Sequence, residues 1–421
     1  MTESSTTGEG SAFARARTAW LEGGRPEPLE RWLTRQLDGD GVPRTCPVGE
    51  WWPILAGLAE ARRARSGGWP EVLDALVERL LVATIRFARP DGRPVFGPTA
   101  VEDAPGPAPV FRDWARWLDE PGIATVLRWW FPARGGRPEY SSPPLPADAR
   151  PDRPLAMLRA SWTKQGELLG IDHRAPGASS LVELYALGRS WLGPSWALDA
   201  EGAAGVSRAR PTCWLSTSSA DLAEWTFRSG GARVVRTALM LRGRRVALLA
   251  DQVDGPAPAA TQRIGLAEGV TPAPVAESRA VALTSNRGRS TVRAFPIGLP
   301  RLPYPTDRGS FRAEAGSLLL SQRSEGKRLW LPLLISWEPA RNRMATHWRL
   351  LTVSEKSRVC PPEVAFAARI TWGRDETLVI YRSLGRPAPR NFLGHQTSAR
   401  FLVGLFSRDS GKVEPLLTAR D

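Results

Sequence analysis

Apolar residues recur along the first third of the chain with the period of a helix. In the clearest stretch Val72, Leu73, Leu76, Val77, Leu80, Leu81 and Ile85 fall three and four residues apart, while Glu71, Asp74, Glu78 and Arg79 fill the opposite face. That spacing predicts an amphipathic helix over 69–85. It opens at Trp69-Pro70, where the missing proline N–H costs nothing. Similar patterns predict helices over 29–37, 51–64, 110–118 and 123–130, so about five helices with short connections account for a domain over 12–132. Residues 1–11 are polar and are expected to form a disordered tail.

Between 133 and 154 the chain becomes rich in proline, with Pro138, Pro143, Pro144, Pro146, Pro151 and Pro154. Proline at this density removes donors and fixes φ, so a linker is expected here. From Leu155 the period shifts towards two. Stretches such as 155–162, 181–187, 232–241, 328–337, 364–372 and 399–405 alternate apolar and polar residues between turns rich in Gly, Pro, Asp and Ser. Many short strands predict an antiparallel β-sandwich over 155–421. The expected fold class is therefore α+β and multidomain: a short N-terminal helical layer followed by a large antiparallel sandwich. Because some 260 residues is large for one sandwich, stacked or extended sheets are expected.

Composition sharpens this only in part. Of 421 residues, 42% are apolar and 24% charged, as in an ordinary soluble globular protein. The net charge of +14 is uneven: residues 1–150 carry −1 and residues 151–421 carry +15. Such a field draws polyanions. Arg242, Arg244 and Arg245 are the cluster expected to bind one. Cys46, Cys213 and Cys360 are scattered and form no CxxC, which suits a reducing compartment. Residues 1–20 lack the apolar run of a secretory signal, and no apolar stretch reaches the length of a membrane span. A cytoplasmic protein without a membrane partner is expected.

Common nucleotide, metalloprotease and serine-hydrolase motifs are absent from the chain. The run 37–41, Leu-Asp-Gly-Asp-Gly, lacks the later ligands of a calcium loop and reads as a polar turn. Of the three histidines, His347 lies in a strand-like run and His395 in a turn, and both are expected to be hydrogen-bonded structural residues. His173 stands in different company.

Residues 168–173, Leu-Leu-Gly-Ile-Asp-His, read as a strand entering a loop. After Arg174 to Ser180 a second strand follows over 181–189, and farther on 233–240 is expected to pair with 244–254. Together these segments resemble the β-sandwich of the heparinase II/III-like polysaccharide lyases. In that family a strand leads into a His-rich loop and then into a strand reading like SFELYALGRPLLVDPG. An Arg-rich strand follows, paired with one that ends in a DxV turn. The resemblance covers roughly 155–255, and the run Glu183-Leu-Tyr-Ala-Leu-Gly-Arg189 is its most specific piece.

The departures bear on chemistry. Active members carry His-x-His-x-Asp ahead of the SFEL-like strand, and the ungapped positions here are Arg174, Pro176 and Ala178. The Asp of DPG is Gly193. Where the family binds a structural zinc, its second His and that Asp are ligands. Pro and Gly offer no metal donor, so no metal and no cofactor is expected. Elimination from a uronic acid needs a base, an acid and a neutraliser for the carboxylate. The family draws Tyr, and often His, from a large α/α toroid ahead of the sandwich. Residues 12–132 imply a truncated toroid with neither residue, and Tyr140 lies in the linker. The residual catalytic candidates are His173, Tyr185 and Tyr140 for proton transfer and Arg174 for neutralisation.

The resemblance therefore implies a catalytically degenerate heparinase II/III-like protein that binds acidic polysaccharide or another polyanion. Two alternatives stay open: an active acidic-polysaccharide lyase with a rearranged site, and a nucleic-acid-binding protein using the basic C-terminal part. No RRM, KH or helix-turn-helix signature supports the last. Whether the chain is an enzyme is left open by its residues.

Overall fold

The computed structural model describes residues 6–65, 69–97, 108–117, 121–132, 142–149, 153–174, 179–200, 206–255, 258–286, 288–305, 308–374 and 376–420. They fall into two compact units, residues 1–146 with 161–166, and residues 147–160 with 167–421.

The first unit is helical: α1 (Thr6–Leu21), α2 (Glu27–Gln36), α3 (Val48–Ala64), α4 (Glu71–Arg86), α5 (Ala108–Trp117) and α6 (Pro121–Trp130). Five follow the helical periodicity. The sixth, α1, begins inside the polar N-terminal stretch. Its narrow buried face of Phe13, Ala16 and Trp20 has helical spacing but is diluted by intervening arginines. Indole N–H groups fix the unit at its crossings. Trp20 donates to the Ala61 carbonyl at 3.1 Å, Trp51 to Cys46 at 3.0 Å and Trp114 to Leu55 at 3.2 Å. Gly41, at φ +81°, lets the loop after α2 rest on α4, because a Cβ there would sit 2.2 Å from the Arg79 carbonyl carbon. Residues 161–166 belong to this unit through Trp162. Its indole donates to the Pro144 carbonyl, and its own carbonyl accepts from Trp130, both at 2.7 Å.

The second unit is a stack of antiparallel sheets, which bears out the α+β architecture with a large sandwich. In neighbour order, the first sheet comprises Asp148–Ala149, Leu155–Arg159, Leu168–Asp172, Ser180–Ala186, Arg189–Ala200, Ala259–Leu266, Ser317–Arg323 and Gly309–Glu314. The second comprises Val270–Pro274, Val281–Ser285, Gly288–Pro296, Arg328–Ser336, Val246–Asp254, Ala232–Leu241, Ala220–Ser229 and Arg210–Ser216. The third has five strands, Thr346–Leu350, Ala365–Trp372, Glu376–Ser383, Phe401–Phe406 and Val413–Ala419. Four short strands between Ser354 and Thr397 make a small fourth sheet.

Side chains alternate across each strand, and the alternation sorts them into separate cores. Leu169, Ile171, Val182, Leu184 and Trp196 of the first sheet meet Trp225, Val234, Ala238, Leu249 and Leu331 of the second. The other face of the second sheet offers Leu222, Leu239, Leu248, Trp330 and Leu334 to Trp348, Ile370, Trp372, Ile380 and Val403 of the third. The second sheet is thus covered on both faces. That is why Arg328–Ser336 reads as an unbroken apolar run rather than an alternating one.

Candidate functional site

Ala232–Leu241 and Val246–Asp254 pair as the sequence suggests, and their register sets Arg233 opposite Asp254 and Arg236 opposite Asp251. Arg236 shares the phase of Val234 and Ala238, so it points into the core between the first and second sheets. No part of either the Arg236 or the Asp251 side chain reaches solvent. A charge buried this deeply persists only when paired and hydrogen-bonded, and this pair is. Arg236 Nε donates to Asp251 Oδ1 at 2.7 Å and its Nη2 to Oδ2 at 3.3 Å. Trp196 Nε1 and Gln262 Nε2 donate to Oδ2 at 2.9 and 3.1 Å. The guanidinium also lies over the Trp196 ring at 4.4 Å and donates through Nη1 to the Trp196 carbonyl and to Ser180 Oγ, at 2.9 and 2.5 Å.

His173 completes this network. Its Nδ1 lies 2.5 Å from Ser180 Oγ, and its ring packs on Trp225 at 4.8 Å. Arginine can only donate, so the Ser180 hydroxyl accepts from Arg236 while it also bonds His173 Nδ1. Burial, and then the nearby Arg236 charge, push the His173 pKa well below the ordinary histidine value.

The other sequence candidates do not join it. Arg174 is folded back on Asp172, with its Nη2 2.7 Å from Oδ2 and its Nε 3.1 Å from each oxygen. Tyr185 pairs with Leu168 across the first sheet, as Glu183 does with Gly170. By alternation with Val182 and Leu184 it lies on the face turned away from the second sheet, opposite to His173. Tyr140 lies outside the described residues. His173 therefore meets Ser180 and, through it, Arg236 rather than Arg174 and Tyr185.

Zinc does not fit here. A ligand carboxylate at position 193 is excluded by more than its absence: Gly193 has φ +142°, and a Cβ there would lie 3.0 Å from the Val182 carbonyl oxygen. The His173 ring is buried against Trp225 and Phe227, near the Arg236 charge. Among the described residues, no three His, Cys, Asp or Glu side chains come together as a metal site.

The Arg242, Arg244 and Arg245 cluster forms the turn between the paired strands, and each guanidinium already holds a carboxylate. Arg242 Nε donates to Asp221 Oδ2 at 2.8 Å and its Nη2 to Oδ1 at 2.5 Å. Arg244 reaches Glu376 at 3.3 Å, and Arg245 reaches Glu167 at 3.1 Å and Glu338 at 3.3 Å. Burial raises the Asp221 carboxyl against the pull of Arg242.

A second buried network, which sequence reasoning missed, occupies the opposite face of the second sheet. Glu224 accepts from Arg382, from Arg400 and, at 2.9 Å, from Thr237. Burial alone would raise its pKa, but the two arginines outweigh that and hold the carboxyl below its usual range. The available signal was a charge at a core phase, Glu224 between Leu222 and Thr226 and Arg236 between Val234 and Ala238. His395 is half-buried against Phe392 at 5.5 Å, and burial lowers its pKa. His347 is exposed on the third sheet.

The sequence matches no protein-family model and no curated protein. Solved structures resemble the fold. Heparan sulfate lyase HepC from Pedobacter heparinus superimposes with a TM-score of 0.62 at 14% identity, covering 91% of this chain and 67% of that one. A mutant of HepC gives 0.61 at 15% identity, covering 86% and 62%. Heparinase III, the BT4657 gene product, gives 0.63 at 12% identity, covering 91% and 66%. The chain spans about two thirds of the length of these structures or slightly less. Its fold is heparinase-like.

Proposed function

We propose that this chain is a polysaccharide-lyase-like protein that recognises acidic polysaccharide without cleaving it. The likeness in fold to heparan sulfate lyase HepC and heparinase III supports the polysaccharide part of this reading. One observation carries the loss of chemistry: His173 is sealed in the sandwich core, its Nδ1 occupied by the Ser180 hydroxyl that Arg236 polarises. A base for elimination must reach the proton it removes, and this imidazole faces tryptophan and phenylalanine rings. The neutraliser candidate Arg174 is held by Asp172. In this reading residues 12–132 are a shortened counterpart of the toroid that precedes the sandwich in lyases, and the linker expected over 133–154 ends earlier, at the strand Asp148–Ala149.

The test is ultraviolet absorbance of unsaturated product after incubating the purified chain with heparin, heparan sulfate or alginate, alongside retention on immobilised heparin. The expected result is retention that weakens as salt rises and no absorbance. Turnover that His173→Ala and Tyr185→Phe abolish, with folding intact, would overturn the reading.

A further inference from the structure

The outer face of the third sheet carries a basic concavity of about 520 Å³ lined by His347, Arg349, Arg369, Thr371, Phe406 and Arg408, with no acidic residue among its lining. That volume lies within the roughly 300–1,000 Å³ of ordinary ligand sites. Its faces follow from alternation. Trp348, Ile370 and Leu378 turn into the core shared with the second sheet, which sends their neighbours outward. The register then builds two rows. His347 is opposite Thr371, Thr371 opposite Thr377, and the strand pairing that sets Leu378 against Leu405 brings Phe406 to the end of the same row. In the next row Arg349 stands directly opposite Arg369.

Two like charges directly across a strand pair repel each other, and among the described residues no carboxylate relieves them. Among the described residues neither Arg349, Arg369 nor Arg408 is held by a carboxylate, whereas Arg242, Arg244, Arg245, Arg341 and Arg390 all are. Glu376, on a neighbouring strand, turns inward to Arg341 and Arg244. Asp375 lies outside the described residues.

We propose that this concavity binds a segment of a linear anionic polysaccharide, through sulfate or carboxylate groups on Arg349, Arg369 and Arg408. The inference rests on the reading of the chain as polysaccharide-recognising and names the surface that does it. The spacing favours an extended ligand over a single ion. From the edge strand Thr346–Leu350 to the strand Phe401–Phe406 there are three strand separations, about 14 Å, with the guanidinium pair at one end and Arg408 at the other. Between them lie the hydroxyls of Thr371 and Thr377, 3.1 Å apart, which suit sugar hydroxyls. Phe406 adds an apolar contact to the lining. A single-stranded nucleic acid would call for a longer series of stacking rings, and the concavity is lined by two rings, Phe406 and His347.

Calorimetric titration of the full chain with a size-defined heparin octasaccharide tests the site. The variants are Arg349→Gln with Arg369→Gln, Arg408→Gln, and Arg228→Gln as a control on the second sheet. The double variant is expected to weaken binding about 30-fold or more and Arg408→Gln about 5- to 10-fold, with the control unchanged. Arg349→Glu separates binding from folding: it sets a carboxylate opposite Arg369, so the unfolding midpoint should rise while octasaccharide affinity falls. Binding that all these variants leave intact overturns the site and spares the wider reading. No octasaccharide binding by the unmodified chain overturns both. Single-stranded DNA of equal charge bound as tightly, with the same variant sensitivity, overturns the polysaccharide assignment. Inorganic sulfate competing at the octasaccharide's own concentration overturns the extended ligand.

Discussion

Replacing Asp251 by Asn removes the negative charge paired with Arg236 while changing almost no volume. Asp251 accepts four hydrogen bonds, two from Arg236 and one each from Trp196 and Gln262. An amide retains one accepting oxygen, and its NH2 then faces donors. Breaking a buried ion pair costs about 3–5 kcal/mol, because the surviving charge stays buried without its counterion. Arg236 would keep its bonds to Ser180 and the Trp196 carbonyl and its place over the Trp196 ring, and a desolvated cation–π contact is worth up to about 2 kcal/mol. The expected loss is therefore about 3 kcal/mol, a large part of a typical 5–15 kcal/mol domain stability. Arg236→Met strands the carboxylate instead and should cost at least as much. The two together remove both charges, so the double variant should lose less than the larger single loss, with a coupling of at least about 2 kcal/mol. Equilibrium urea unfolding followed by near-ultraviolet circular dichroism measures all three. Single losses below about 1 kcal/mol, or a double loss equal to their sum, would refute the reasoning.

Acid should weaken the fold through His173. Its folded pKa lies below the unfolded value of 6.5, so the unfolded chain binds the extra proton. This contribution is complete above pH 6.5 and is lost as pH falls below it, by up to about 1.4 kcal/mol per unit. Unfolding midpoints from pH 7 to 5.5 should show the slope, and His173→Gln should flatten it in part, because half-buried His395 acts with the same sign. Gly41→Ala forces a Cβ onto the Arg79 backbone at positive φ and should destabilise the helical unit by about 2–4 kcal/mol in thermal unfolding. Metal analysis of the purified chain should find zinc well below one equivalent, and stoichiometric zinc retained through dialysis would contradict the arrangement around Gly193 and His173.

Where a strand or helix shows one wet and one dry face, its period is legible, as in α4 or Ala365–Trp372. Ala220–Ser229 is harder to read because Asp221 and Glu224 are buried charges that look like a solvent face. Arg189–Ala200 hides behind Gly193-Pro194 in mid-strand. The hairpin that sets Arg236 against Asp251 is legible, because it is local. The contacts that seal His173 are not, since Trp225, Phe227 and Arg236 come from strands far along the chain. The Arg242–Arg245 turn shows the same limit from the other side. It reads as a cationic cluster until Glu167, Glu338 and Glu376 arrive from distant segments.

The doubly covered second sheet bears on how the chain avoids misthreading. Sliding one of its strands by a single residue exchanges the two faces. Arg236 would then meet the aliphatic layer around Leu248 and Ile380, and Glu224 would turn towards Val182 and Val234, each stripped of its counterion. A slip of two residues restores the faces but sets Arg236 against Leu249 or Val253 instead of Asp251. In an all-aliphatic sheet such displaced alignments would differ little in energy. Here each strands a buried charge, so the ion pairs on the two faces act as an error check on strand alignment, one face verifying the other.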